Sequence, residues 1–194
     1  MAKIYIYGAS GHGLVVADIA RAVGYDEIVF LDDASDVKFS PNLPKADIII
    51  AIGSNKTREI LQNRVEATGF NVVSLVHPSA VISPSAVIER GVVVMPNAVI
   101  NAKAIIKCGA IINTGAVIEH ECVIGEFAHI SPNAALAGNV IMGAKTHIGI
   151  GSNVIQGIKI GANSLIGAGS VVVKDLPSDI TAYGVPARIK NKKL

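Results

Sequence analysis

The residues best suited to do chemistry in this chain cluster in one stretch, NTGAVIEHEC at 113–122, followed by His129 and His147. His120 stands between Glu119 and Glu121. An unperturbed imidazole titrates near pH ~6.5. A carboxylate on one ring nitrogen favours the imidazolium and makes the other nitrogen a stronger base. Such a dyad can take a proton from an attacking amine while a separate donor stabilises the oxyanion formed from a thioester. No Ser or Cys nucleophile is needed, because the acyl group of a thioester arrives activated. Spacing alone does not choose between Glu119 and Glu121. His129 directly precedes Ile130, so its side chain is expected to point away from the core. His147 follows it by 18 positions. Cys122 reads as a buried structural thiol.

A second set of residues lies near the N-terminus: GASGHG at 8–13, the acids Asp32 and Asp33, and Gly53 with the two residues after it. A Gly-rich turn at a helix N-terminus leaves N–H groups free, and phosphate is favoured there. An acid at a strand end can hold a ribose hydroxyl or a base N–H. His12, inside the turn, could donate to a sugar or phosphate oxygen, or simply be solvated. The spacing is G-x-x-G-x-G rather than the dinucleotide pattern G-x-G-x-x-G. Only one mononucleotide half is present, so a nucleotide-sugar fits better than NAD.

These two sets require two kinds of scaffold. Over residues 1–76 strand and helix patterns alternate: KIYIY, then a helix with Gly24 as its C-cap, EIVFL, DIIIAIG, a second helix with Ser54 and Asn55 as cap candidates, and NVVSLVHP as a fourth strand. This predicts a small α/β unit with a parallel sheet, whose ligands bind at the carboxyl ends of the strands. From Ile82 the pattern changes. Every sixth residue through Val172 is aliphatic or Met, without a slip. The residue four places later is mostly small, as at Ala98, Ala116, Cys122 and Ser152, and Gly often follows the aliphatic. Three hexads make a triangular turn of 18 residues, and about five such turns stack in parallel ladders. A β-sandwich would show period-two alternation and varied turn lengths instead. The division expected is 1–78 for the nucleotide-sugar unit and 79–194 for the coil and tail.

Composition agrees with a stacked coil. Hydrophobic residues make up 51% and aromatics only 4%, with no Trp, so the core must be built from Ile, Val and Ala. A net charge of +2 gives no basis for a nucleic-acid groove or a basic membrane surface. Two cysteines suggest reduced thiols in a cytoplasmic protein rather than a disulfide framework. The N-terminus lacks signal-peptide anatomy, and no apolar run approaches the ~20 residues of a membrane span.

GASGHG, FLDD, IAIGSN, HPSA and above all NTGAVIEHECVIGEFAHISPNAALAGNV resemble the bacterial sugar N-acetyltransferases of the bacillosamine (PglD) type. The resemblance spans the chain. It implies a left-handed parallel β-helix and a homotrimer with active sites between subunits. The reaction it implies is acetylation by acetyl-CoA, without a metal, of the 4-amino group of a UDP-linked 4-amino-4,6-dideoxy sugar. By the same resemblance His120 is the general base and Glu121 its carboxylate. His129, Gly138, Ile150 and Ala168 meet acetyl-CoA. Ser10, Gly11, His12, Asp32, Asp33 and Gly53 meet the nucleotide-sugar. The closing YGVPARIKNKK resembles the G-x-P-A segment of hexapeptide acyltransferases, its basic residues either meeting CoA phosphates or solvated. Three alternatives stand beside this reading. One is a GDP- or dTDP-linked acceptor. Another is a zinc hydratase of the hexapeptide kind, which would need three His at a subunit junction. The last is a non-catalytic solenoid, which would show a regular exposed ladder that this chain lacks.

Overall fold

The computed structural model describes residues 2–192; Lys193, the last basic residue of the tail, lies outside the described residues. The α/β unit runs β1 (Lys3–Tyr7), α1 (Gly11–Ala22), β2 (Glu27–Leu31), β3 (Asp47–Ile50), α2 (Asn55–Glu66) and β4 (Asn71–Val72). Its sheet is parallel in the order β2-β1-β3-β4. Side chains alternate across β1 as a strand requires. Ile4 and Ile6 pack on Val16 and Ile19 of α1, while Tyr5 and Tyr7 pack with Phe39 and Phe70 on the other side. Val23 is the C-cap of α1, and Gly24, at φ +97°, supplies the left-handed residue just beyond it. Ser54 caps α2 by accepting from the Thr57 N–H, while the Asn55 side chain is engaged elsewhere.

The expected fourth strand is in fact two. Asn71–Val72 completes the sheet, and Leu75–Val76 already forms the first rung of the coil, paired with Val93–Val94. The run VVSLV is apolar but for Ser74, which sits at the break with its hydroxyl donating to Glu89 O, and a single Ser is too weak a signal to divide a strand. The coil has three faces. The first carries Leu75–Val76, Val93–Val94, Ile111–Ile112, His129–Ile130, His147–Ile148 and Leu165–Ile166; the second runs from Val81–Ile82 to Val171–Val172; the third runs from Val87–Ile88 to Lys159–Ile160. Ile180–Tyr183 and Arg188–Lys192 then close the first face as a hairpin.

From Val94 to Val172 the second residue of each rung points inward and is buried, as in Ile112, Ile130 and Ile148, while Val76, Ile82 and Ile88 in the first turn are partly buried. The small corner residues Ala98, Ala116 and Ala134 are fully buried beside them. The residue just before each small one takes a left-handed backbone. Glycine does so at 115 and 151, but Asn97, Glu121 and Lys145 do so as well, at φ 58–60°. Glycines after the inward aliphatic serve close approach: a Cβ on Gly149 would lie 2.6 Å from the Ala168 nitrogen of the next turn. At the later corners, hydroxyls replace methyls and are satisfied internally, as Ser152 Oγ donates to Gly167 O at 2.9 Å and accepts from the Ser170 N–H at 3.2 Å.

The α/β unit sits on the first face, where Leu75, Val93 and Met95 share a core with Ile4, Ile6 and Val16. The outer columns of the other faces are mostly apolar, Asn153 and Lys159 excepted, and are partly or fully exposed in the single chain. They include Val81 on the second face, and Val87 and Ile141 on the third. Among the described residues no helix is long and apolar enough to cross a membrane.

Candidate active site

His120 occupies the corner between the second and third faces. Its Nδ1 lies 3.1 Å from Glu121 Oε2, whereas Glu119 Oε2 accepts from the His120 backbone N–H at 3.3 Å. The left-handed backbone at Glu121 turns its carboxylate alongside the imidazole. With Nδ1 donating to that carboxylate, the lone pair is left on Nε2. Ring and carboxylate are both about half exposed. The Cε1–Nε2 edge lies over Gly138, where a Cβ would come within 2.5 Å of both atoms. Cys122, on the same corner, is buried, and its thiol, pushed up by burial, contacts Ala137 O.

His129 points outward from the first face, as expected, yet it is only 8% exposed because the α/β unit covers it. The Thr114 N–H donates to Asn113 Oδ1 at 2.8 Å, so the Asn113 NH2 group is the one that faces His129 Nε2 at 3.0 Å. Nε2 therefore accepts, and the proton sits on Nδ1. Nδ1 is buried without a partner of hydrogen-bonding geometry, toward the Gly53 backbone. Burial, together with His147, Arg58 and His12, pushes the His129 pKa down to about 3. His147 stacks on His129 with ring centroids 4.6 Å apart, and its Nε2 meets Ser131 Oγ at 2.7 Å. His12 approaches from α1, its ring 6.5 Å from that of His129. Its Nε2 is also buried and unpartnered, and burial beside Arg58 pushes its pKa down to about 4.

The other N-terminal residues lie beyond the carboxyl ends of the strands. Ser10 is the N-cap of α1 and its side chain makes no cap hydrogen bond, while the space beside Gly11 is open. Asp32 accepts from the backbone N–H groups of Ala34 (2.9 Å) and Ala9 (3.4 Å), which ties the second strand's end to the Gly-rich turn. Asp33 is already held by the Tyr7 hydroxyl at 2.7 Å and by Arg64 at 3.4 Å. Gly53 edges a cleft of about 550 Å³ between the start of α2 and the first face, lined also by Asn55, Lys56, Lys145 and His147. Ile150 and Ala168 stack one turn apart at the corner between the first and second faces, where the Gly169 N–H bonds Ile150 O.

The candidate residues thus fall into two halves of the chain's surface. His120, Glu121 and Gly138 share one corner, and His12, Gly53 and His129 meet on the face opposite that corner. Two residues missing from the sequence-based set hold the second half: Asn113, through His129, and Arg58, which is fully buried. Ile111 lies one rung beneath His129 in the 18-residue register; Asn113 reaches His129 diagonally across 16 positions, as Ser131 reaches His147, an offset the period does not mark. Arg58 left a faint mark, an Arg in the buried stripe Arg58, Gln62 and Val65 of α2. Among the described residues no group of three or more His, Cys, Asp or Glu could hold a metal ion. His129 and His147 stack face to face rather than converge.

The PglD N-terminal domain family matches residues 3–65. The UDP-N-acetylbacillosamine N-acetyltransferase of Bacillus subtilis (strain 168) is 37% identical over 112 residues, 49% of this chain and 52% of that one, so the match spans about half the length of that relative. Similarity to solved structures extends over the whole chain. PerB from Caulobacter crescentus, in complex with CoA and GDP-perosamine, superposes with a TM-score of 0.93 at 40% identity over 98% of each chain. The acetyltransferase domain of PglB from Neisseria gonorrhoeae, in complex with acetyl coenzyme A, gives 0.91 at 40% identity over 97% of this chain and 98% of that one. With a parallel-sheet unit on a left-handed β-helix matched from end to end, the chain belongs to the PglD-type family of nucleotide-sugar N-acetyltransferases.

Proposed function

We propose that this protein moves acetyl from acetyl-CoA to the 4-amino group of a UDP-4-amino-4,6-dideoxy-N-acetyl sugar, a step of bacillosamine-type glycan precursor synthesis. The observation that carries the reading is the His120–Glu121 pair, 3.1 Å apart, with Nε2 bare over Gly138. The substrate amine attacks the thioester carbonyl and His120 Nε2 takes its proton. The Gly138 N–H, which donates to no carbonyl of the ladder, is the nearby donor for the oxyanion. Collapse of the intermediate expels the CoA thiolate, which recovers the proton from His120. Residues 1–78 bind the nucleotide-sugar through Ser10, Gly11, His12, Asp32, Asp33 and Gly53. Residues 79–194 carry acetyl transfer, with His129, Gly138, Ile150 and Ala168 on the acetyl-CoA side. A GDP-linked 4-amino sugar is the second reading, favoured by end-to-end similarity to the PerB enzyme.

Two observations support a homotrimer: the proposed half-sites lie on opposite sides of one coil, and exposed aliphatics, Val81, Val87 and Ile141, stand on the second and third faces. A cytoplasmic location follows from the proposed substrates, both of which are cytoplasmic metabolites.

The test is CoA-thiol release with UDP-, GDP- and dTDP-linked 4-amino sugars. Cys108 and Cys122 are buried and add little background. UDP-sugar turnover is expected, with His120→Ala folded but slower by about 10²–10⁴-fold. A near-wild-type rate in that variant would overturn the base assignment. Silence on the whole panel would overturn the substrate.

A further inference from the structure

Arg58 has no accessible surface, and no carboxylate is among its hydrogen-bond partners. Its fork is instead filled by oxygens from two parts of the molecule. Nη1 donates to Ile52 O at 2.8 Å and Gly53 O at 3.2 Å, and Nη2 to Asn55 Oδ1 at 2.9 Å, all in the α/β unit. Nε donates to Gly109 O at 2.7 Å, and Nη2 also reaches Phe127 O at 2.8 Å and Ala128 O at 3.2 Å, all on the coil. Phe127 and Ala128 are the two residues immediately before His129. One rigid plane therefore grips the backbone of Gly53 at one end and the backbone leading into His129 at the other. Burial lowers the Arg58 pKa only to about 9, so it remains charged at neutral pH. A lysine, with three donors on a flexible stem, could not span both sets.

We propose that Arg58 is a positioning residue that sets the gap between the nucleotide-sugar loop, at Gly53 and His12, and His129 on the acetyl-CoA side, while touching neither ligand. The inference rests on the assignment of those two sides made above.

The experiment compares the full-length chain with Arg58→Met, Arg58→Lys and Arg58→Ala by two readouts. In kinetics, Arg58→Met should raise the acceptor KM by roughly tenfold or more while the acetyl-CoA KM moves by less than about twofold, because His129 stays seated on Asn113. Millimolar guanidinium, but not ammonium, should recover acceptor KM in Arg58→Ala. An unchanged acceptor KM, or equal rises in both constants, would overturn the proposal. In ¹⁵N-imidazole NMR without substrate, His129 should titrate near 3 in the wild type and move toward ~6.5 in Arg58→Met as water enters the gap. An unmoved His129 would also overturn it, and this readout stands even if no nucleotide-sugar on the panel is turned over. If Arg58→Met does not fold, Arg58→Lys decides: wild-type values by both readouts would sink the role.

Discussion

At Glu121 backbone geometry and chemistry compete. Its φ of +60° is one that glycine adopts freely at the matching corners 115 and 151. A non-glycine residue there costs on the order of 1 kcal/mol. Glu121→Gly should therefore leave thermal stability within about 1 kcal/mol of wild type while kcat/KM falls by about 10²-fold, and Glu121→Gln should lose comparable activity. Melting curves and thiol release on the same preparations check this; an unfolded Glu121→Gly chain would make the residue structural. Gly138 has the reverse constraint, since a methyl there meets the His120 ring at 2.5 Å. Gly138→Ala should displace the imidazole and cut kcat by roughly 10²-fold with folding intact. A kcat within about twofold of wild type would mean that His120 works from another rotamer. His120 and the flanking acids were legible because charged groups stand out on an apolar coil. Which acid meets the ring was not legible from spacing, because a backbone dihedral decides it; only the family resemblance named Glu121. Arg58 was hidden because most of its partners are carbonyls, several of them some 50–70 positions away, which no side-chain pattern records.

Between the elements, the junction of sheet unit and coil buries two neutral imidazoles, and this makes folding pH-dependent. Unfolded His12 and His129 take up protons near ~6.5, whereas in the folded chain they do so only near 4 and 3. The unfolded state thus gains protons first as pH falls. The stabilisation is complete above ~6.5 and is lost as pH drops toward the folded values, with a combined size of several kcal/mol. Urea midpoints should fall steeply between pH 7 and pH 4.5 (roughly the span of these titrations), and His12→Leu should flatten the slope. A flat wild-type profile would show that these rings are not buried neutral. The coil itself was legible from its period of six, since a slip of one residue would turn the inward aliphatics out. The entry to the coil at Leu75 was not, because only Ser74 interrupts the apolar run that the sheet and the first rung share.

As a whole molecule, the chain places the proposed base, His120, and the proposed acceptor loops on opposite sides of a triangular prism. A site built between neighbouring copies predicts complementation. His120→Ala and His129→Ala homo-oligomers should each be nearly inactive, whereas trimers mixed from both contain one site with both histidines intact, giving roughly a third of wild-type sites per mixed trimer. Co-refolding the two variants and assaying thiol release checks this. No recovery in verified mixed trimers would place the whole site within one chain. Composition and period reached the coil, but which of its columns stay exposed depends on the α/β unit covering the first face.

The stacking of His147 on His129 shows what kind of ruler the coil is. Groups on one column are separated by whole rungs, about 4.8 Å each. Residues can be exchanged along that ruler, but the interval between its marks cannot be changed. A substrate longer by one bond, or a bulkier base, cannot be matched by sliding the coil. On the proposed site, adaptation among related enzymes is then expected in loops off the coil, such as those at 32–46 and 51–54. Exchanging those loops between relatives should transfer nucleotide preference and leave the acetyl-donor side unchanged.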